Sequence, residues 1–203
     1  EQRTPQWLDA RIGRITVSRI GAVLGHSPWQ TRAQLLKEMV AEAMGTRIER
    51  DSPAMAWGRE HEAEALADFV ISSLAETDDL RVGGWHELGG DIGFSPDAWV
   101  PGRLLIEIKC PFSRMLPPEP PAHYVDQCQL GLRVLGLPEA ALHYWTPDES
   151  VTFWVPRDDA WAEAAMPQIA DFLRDYRAAL LDPASWAQDE RTDADWASAV
   201  REY

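Results

Sequence analysis

The sequence predicts an α/β domain with a mixed central β-sheet flanked by helices. Three observations predict it. The first third carries helix-capping signals, residues 80–110 break into short β-type runs separated by Gly-Gly and Pro-Gly turns, and two further strand patterns alternate with helical ones after residue 121. The resulting order is helices, three strands, helix, two strands, helix, which an α/β layer architecture accommodates.

Each element has a local reason. Thr16 or Ser18 is placed to cap a short helix through Val23, and Thr31 to cap another running to about Met44. Ser52-Pro53 reads as an N-cap followed by proline at the first helical position, opening a helix to about Leu74. Leu80–Leu88, Gly90–Trp99 and Leu104–Cys110 are the first three strand segments. Pro117-Pro118-Glu119-Pro120-Pro121 is a stiff connector, because proline fixes φ and resists helix entry. A helix over Ala122–Leu135, strands near Ala140–Trp145 and Val151–Val155, and a long helix over Asp158–Leu181 complete the domain. The organisation expected is a single domain over residues 1–181, with a helical region at 1–50, a core at 53–155 and a final helix at 158–181. Residues 182–203 form an acidic tail docked by Trp186 and Trp196.

The chain has 203 residues, 45% of them hydrophobic, which suffices for a substantial core. No apolar run approaches the roughly 18 residues of a membrane span, and no signal-peptide pattern opens the sequence. Two cysteines, Cys110 and Cys128, exclude a disulfide framework and an all-cysteine metal site. These features together predict a cytoplasmic protein. Nineteen basic against 33 acidic residues give a net charge of −14, which argues against a large sequence-independent grip on nucleic acid. The charge is uneven: residues 1–50 hold 8 basic and 5 acidic side chains, whereas residues 51–100 hold 2 and 11. That contrast suits an anion clamp beside a cation site, although a solvated acidic surface produces the same tally.

The strongest local anomaly is Leu104-Leu105-Ile106-Glu107-Ile108-Lys109. Alternate residues of a strand share a face, so Glu107 and Lys109 project together while Ile106 and Ile108 project oppositely. Ten residues earlier lies Asp97, in Ser95-Pro96-Asp97, across a Pro-Gly turn that brings the two strands together. Two carboxylates and a carbonyl are hard oxygen ligands suited to Mg²⁺ or Mn²⁺. Alone, the Glu-x-Lys triplet is more often a surface salt bridge, and the upstream aspartate is what shifts the balance. On the helix from residue 53, Met55, Gly58, Glu62, Leu66 and Phe69 share an inward stripe, with Glu60, Glu64 and Asp68 on the solvent side. Glu62 is therefore a carboxylate on a buried face, meeting either a metal or a structural arginine. Gln127 shares a stripe with Tyr124, Leu130, Gly131 and Val134, while Asp126 and Arg133 face away. Near the start, Arg11 offers a bidentate phosphate fork and Ser18 a hydroxyl beside free helix N–H groups. The five histidines lack zinc spacing, and most of the ten tryptophans are expected in the core rather than as base-stacking surfaces.

Four blocks in order carry a family resemblance: Trp7-Leu8-Asp9-Ala10-Arg11-Ile12-Gly13-Arg14-Ile15-Thr16-Val17-Ser18, Trp57-Gly58-Arg59-Glu60-His61-Glu62, Ser95-Pro96-Asp97 and Glu107-Ile108-Lys109-Cys110-Pro111-Phe112. Gln127-Cys128-Gln129 follows at the expected helix. The set resembles the PD-(D/E)xK nucleases of the lambda-exonuclease branch, including YqaJ-type viral recombinases. The resemblance implies a restriction-endonuclease-like core. It implies magnesium on Asp97, Glu107 and the backbone carbonyl of Ile108, with Glu62 serving a second ion or its waters and Mn²⁺ able to substitute. Lys109 then positions and activates the attacking water, Gln127 orders the site, and Arg11, Ser18 and Ser95 bind the 5′-phosphate of a DNA end. Such enzymes degrade one strand of linear duplex DNA 5′ to 3′ for a single-strand annealing partner. Ring-shaped homotrimers are known among them, and the setting implied is a bacterial or phage-infected cell. A structure- or sequence-selective endonuclease, or a non-catalytic DNA-end-binding protein, is the alternative on the same fold.

Overall fold

The computed structural model describes residues 4–46, 52–73 and 77–183. The expected tail, with Trp186 and Trp196, and the expected helix end at Leu74 lie outside the described residues. The chain opens with helix α1 (Pro5–Arg11), capped by the Thr4 hydroxyl, which accepts from the Trp7 amide. A two-residue strand β1 (Ile15–Thr16) follows, then a 3₁₀ turn over Val17–Arg19 and the short helix α2 (Ile20–Val23). The turn enters from Thr16, but the Thr16 side chain makes no capping bond, because that residue is spent on the strand. Helix α3 (Arg32–Ala43) starts at Thr31 with a reciprocal capping box to Gln34. Helix α4 (Pro53–Ser72) starts as expected, with the Ser52 hydroxyl accepting from the Met55 amide.

The β region departs from the sequence reading. Each of the first two expected strands is two short strands: β2 (Arg81–Val82) and β3 (His86–Leu88), then β4 (Ile92–Phe94) and β5 (Ala98–Val100). Gly83 and Gly84, at φ of 65° and 98°, separate the first pair. Ser95-Pro96 separates the second, where proline has no N–H to give a ladder. The halves belong to different sheets. A small sheet has the order β1-β4-β3, and a five-stranded sheet has the order β2-β5-β6-β7-β8, with β6 (Leu104–Lys109), β7 (Glu139–Trp145) and β8 (Ser150–Pro156). Only β6 and β7 run parallel in the larger sheet, which makes it mixed. Helix α5 (Ala122–Leu135) ends on left-handed Gly136, and α6 spans Asp159–Leu181.

The alternation along β6 divides the core. Leu105 packs into the cluster shared with α2, α3, α5 and α6, whereas Ile106 and Ile108 pack beneath Ala65 and Phe69 of α4. Glu107 and Lys109 follow Leu105 onto the α5 side.

Helix α2 crosses α5 at Gly21. A Cβ there would lie 2.7 Å from His123 Cβ and 3.3 Å from its Cα, so backbone rather than a flexible side chain blocks it. Alanine gains about 1 kcal/mol of helix propensity over glycine, but overpacking costs about 1–3 kcal/mol. The steric cost wins at this site. Gly21→Ala is expected to lower the urea midpoint without changing the slope, a net loss of up to about 2 kcal/mol.

Candidate active site

The register of β5 on β6 pairs Ala98 with Ile106 and Val100 with Leu104. Extended by one residue, it sets Asp97 opposite Glu107. The Ile108 amide donates to Asp97 Oδ2 at 2.8 Å, which fixes the aspartate at the strand's edge. Glu107 is 3% exposed. Its Oε1 accepts from Lys109 Nζ at 2.7 Å and from Gln127 Nε2 of α5. Lys109 Nζ also approaches Gln127 Oε1 at 3.4 Å and lies 4.4 Å from the Tyr124 ring centroid. Strand β6, the turn before β5 and helix α5 thus converge on one group of side chains.

The electrostatics follow from this crowding. Burial and the neighbouring Glu107 carboxylate hold the Asp97 carboxyl well above the usual range, and the Lys109 ammonium pulls it back only in part. Burial alone depresses the Lys109 ammonium. The Glu107 carboxylate, with Tyr124 and Asp97, outweighs that effect and holds it well above the usual lysine range. That balance favours the ammonium form, which donates to Glu107. The Cys110 thiol is pushed up to about 12 by burial and by Glu62, so it is not a ready nucleophile.

These residues floor a pocket of about 610 Å³ whose walls come from α1, the Thr16–Ser18 segment and the first half of α4. Asp97, Glu107, Ile108, Lys109, Gln127, Glu62, Arg11, Ser18 and Ser95 all line it. Glu62 is half-buried rather than buried. The first half of its helical stripe faces the pocket, and only the second half, at Leu66 and Phe69, packs on the sheet. The Arg11 guanidinium stands 4.4 Å from the Trp7 ring centroid. Ser18 Oγ lies 3.3 Å from Thr16 Oγ1. Ser95 Oγ donates to the Gly84 carbonyl at 2.7 Å, so its proton is committed and it offers the pocket lone pairs.

Among the described residues, no three His, Cys, Asp or Glu side chains are placed to hold a metal by themselves. Two facing carboxylates beside a peptide group are nevertheless a fitting donor set for Mg²⁺, which binds through one or two carboxylates and keeps its waters. Burial and the facing Glu107 both disfavour a charged Asp97, a cost that a bound cation would offset.

Several sequence expectations are corrected. Asp126 does not face away from the core: it is buried, accepting from Trp161 Nε1 at 2.8 Å and pairing with His26 Nδ1 at 2.7 Å. Asp68 is not turned to solvent but stands 3.2 Å from His143 Nε2. In both cases a neighbouring element supplies a partner that helical periodicity does not show. Of the eight described tryptophans, Trp99, Trp145 and Trp161 pack against the core as expected, none is fully buried, and Trp29 and Trp154 are exposed. Three of the described basic residues in the N-terminal segment are structural. Arg14 bonds the Gly90 and Ala10 carbonyls, Arg19 pairs with Glu38 and Glu42, and Arg32 pairs with Asp175. Arg59, Met55, Tyr124 and Trp29 also line the pocket and were not singled out as site residues. Tyr124 was accessible from spacing, one helical turn before Gln127. Trp29 lies in a loop without periodicity.

Sheet, helices and pocket together define a nuclease fold of the exonuclease type. An alkaline exonuclease from Laribacter hongkongensis, LHK-Exo, superimposes with a TM-score of 0.75 at 25% identity over 93% of this chain and 100% of that one. LHK-Exo in complex with dAMP gives 0.77 at 24% identity over the same shares. A phage-related exonuclease from Haemophilus somnus 129PT gives 0.68 at 15% identity over 87% of this chain and 99% of that one. No curated protein sequence matches the chain. Residues 6–138 match the YqaJ-like viral recombinase domain, and the chain belongs to that family.

The Asp97 shift yields a prediction about stability in chelator. A carboxyl raised in the folded state stabilises it below the unfolded aspartate pKa, and that contribution is lost as pH rises through the folded value. Asp97→Asn keeps an oxygen for the Ile108 amide but has no charge to titrate. The variant should melt above the parent at pH 8, and the gap should shrink as pH falls toward 4, read by thermal unfolding.

Proposed function

We propose that the chain is a Mg²⁺-dependent exonuclease. On this reading it hydrolyses phosphodiester bonds of linear double-stranded DNA, 5′ to 3′ from 5′-phosphorylated ends, in single-strand-annealing recombination. The observation that carries the reading is the grouping of Asp97 opposite Glu107, with the Lys109 ammonium 2.7 Å from Glu107, on the floor of one pocket. Family membership and the similarity to LHK-Exo support it.

Asp97, Glu107 and the Ile108 carbonyl would hold the first Mg²⁺, with Glu62 toward a second ion or its waters and Mn²⁺ able to substitute. Bound there, the metal lowers the pKa of water and offsets charge on the phosphate. The protein's own part is positioning. Gln127 holds Glu107 and Lys109 in one arrangement. Lys109 donates to the attacking water and faces the charge that develops on the phosphate oxygens, a fixed cation needing no reorganisation. Arg11 and Ser18, on the wall, receive the terminal 5′-phosphate, and Ser95 can join them once its proton leaves the Gly84 carbonyl. A net charge of −14 gives little ionic hold on DNA. A homotrimeric ring enclosing the duplex would supply that hold by topology, handing the exposed 3′ strand to an annealing protein.

The test is incubation of the protein with linear 5′-phosphorylated duplex, 5′-hydroxyl duplex and closed circle, each in Mg²⁺ and in chelator. Nucleotide release from the phosphorylated duplex is expected in Mg²⁺ only, with Glu107→Ala inactive and the circle spared. Cutting of the circle would move the assignment to an endonuclease, and binding without metal-dependent cleavage would leave an end-binding protein. Lys109→Ala is expected to lower kcat by about 10²–10³-fold with little change in KM. Arg11→Ala should reduce the preference for phosphorylated over hydroxyl ends by about tenfold or more, the scale of a charge-assisted hydrogen bond.

A further inference from the structure

Beside the main pocket lies a smaller cavity of about 200 Å³ that shares Ser18, Trp29, Tyr124 and Gln127 with it. It therefore lies between the residue assigned to the terminal phosphate and the one assigned to the reacting centre. Trp29 forms part of its rim and is 69% exposed. Its described ring neighbours are His123, perpendicular to it at 4.8 Å between centroids, and Tyr124, tilted at 6.0 Å, and neither is stacked parallel on the indole.

The loop that carries Trp29 is nevertheless firmly tied. The His26 and Ser27 amides both donate to the Gly21 carbonyl at 2.7 and 2.9 Å. His26 Nδ1 meets the buried Asp126 carboxylate at 2.7 Å. Ser27 Oγ accepts from the Trp29 and Gln30 amides, and the Gln30 side chain donates to Glu38 at 2.7 Å. Local collapse thus does not account for the exposure: the backbone is held so that an indole stands uncovered at the pocket.

Two polar features complete the cavity. Ser27 Oγ accepts both its described bonds, leaving its proton to donate. His123, which also lines the cavity, has a buried Nε2 that finds no hydrogen-bond partner among the described residues. A buried polar atom left unpaired is costly, and a ligand edge bearing hydrogen-bonding groups would satisfy it. A flat π-face with such an edge is a nucleobase, and aromatic stacking on bases tolerates every sequence.

We propose that Trp29, Ser27 and His123 form a subsite for the base of the strand's terminal nucleotide, with Trp29 as the stacking platform. The subsite rests on the nuclease reading above. Its occupant arrives attached to the phosphates bound by the neighbouring pocket, and the tied loop presents the indole already ordered.

The test is a binding cycle in chelator. Wild type and Trp29→Ala are titrated against a 5′-phosphorylated duplex and against the same duplex with an abasic 5′-terminal nucleotide, using a dye placed far from the end. Loss of the terminal base should weaken wild-type binding by about tenfold, and loss of Trp29 by a similar factor. Losing both should cost no more than losing one. A terminal 2-aminopurine should be quenched on binding to wild type and to Trp29→Phe, but not to Trp29→Ala. Equal discrimination of the abasic end by wild type and Trp29→Ala, or unchanged quenching in Trp29→Ala, would overturn the subsite while metal-dependent cleavage leaves the nuclease reading standing. Absence of DNA binding and cleavage by the wild type would overturn both.

Discussion

Glu107 sits almost without exposure on the middle strand of the five-stranded sheet, and an unpaired carboxylate in such a place costs several kcal/mol. Its two partners come from different elements, Lys109 from the same strand and Gln127 from α5. Satisfying that one group fixes how α5 lies on the sheet, and α5 in turn fixes what packs on it. Helix α2 crosses it at Gly21, the loop after α2 is tied to it through His26 and Asp126, and Tyr124 is held over the Lys109 ammonium. A buried ion pair is weak evidence for stability, because well-packed apolar residues often replace one without loss. The arrangement makes better sense as preorganisation, with charges placed before any phosphate arrives.

Much of the frame could be read from the residues. Helix α5 was expected over Ala122–Leu135 and occupies that span, because Pro121 and Gly136 punctuate it. Ser52-Pro53 and Thr31 open their helices for the reasons their side chains supply. The face shared by Glu107 and Lys109 follows from the strand period alone. What failed were judgements about single sides of helices. Asp126 and Asp68 look like surface residues on a wheel, yet each finds a partner on an element distant in sequence. Strand β1 was missed because two residues carry no period, and it exists only through its pairing with β4. The two broken strands are not legible from pattern, because Gly83-Gly84 and Ser95-Pro96 lie inside continuous β-type runs and become crossings only when the halves pair in different sheets.

The charge tally was instructive in a different way. A basic first segment suggested an anion clamp, but Arg14, Arg19 and Arg32 spend their donors on carbonyls and carboxylates of the fold. Among the described residues of that segment, Arg11 is the basic one that lines the pocket. Net charge speaks to long-range attraction, whereas the handling of one phosphate depends on one or two side chains with the right geometry. An acidic protein and a cationic pocket wall are therefore compatible.

The small sheet has its own consequence. Ile15 and Thr16 pair in parallel with Ile92 and Gly93, and the chain leaves β4 directly into Ser95-Pro96-Asp97. The segment bearing Arg11 and Ser18 therefore hangs from the strand that leads into the turn bearing Asp97. Such short ladders open as units rather than residue by residue. If the first twenty residues peel away, the wall goes and β4 loses one of its two partner strands, while Asp97 keeps its bond to the Ile108 amide. Damage at the amino terminus is thus felt first in the wall that bears Arg11 and Ser18, and the paired carboxylates outlast it.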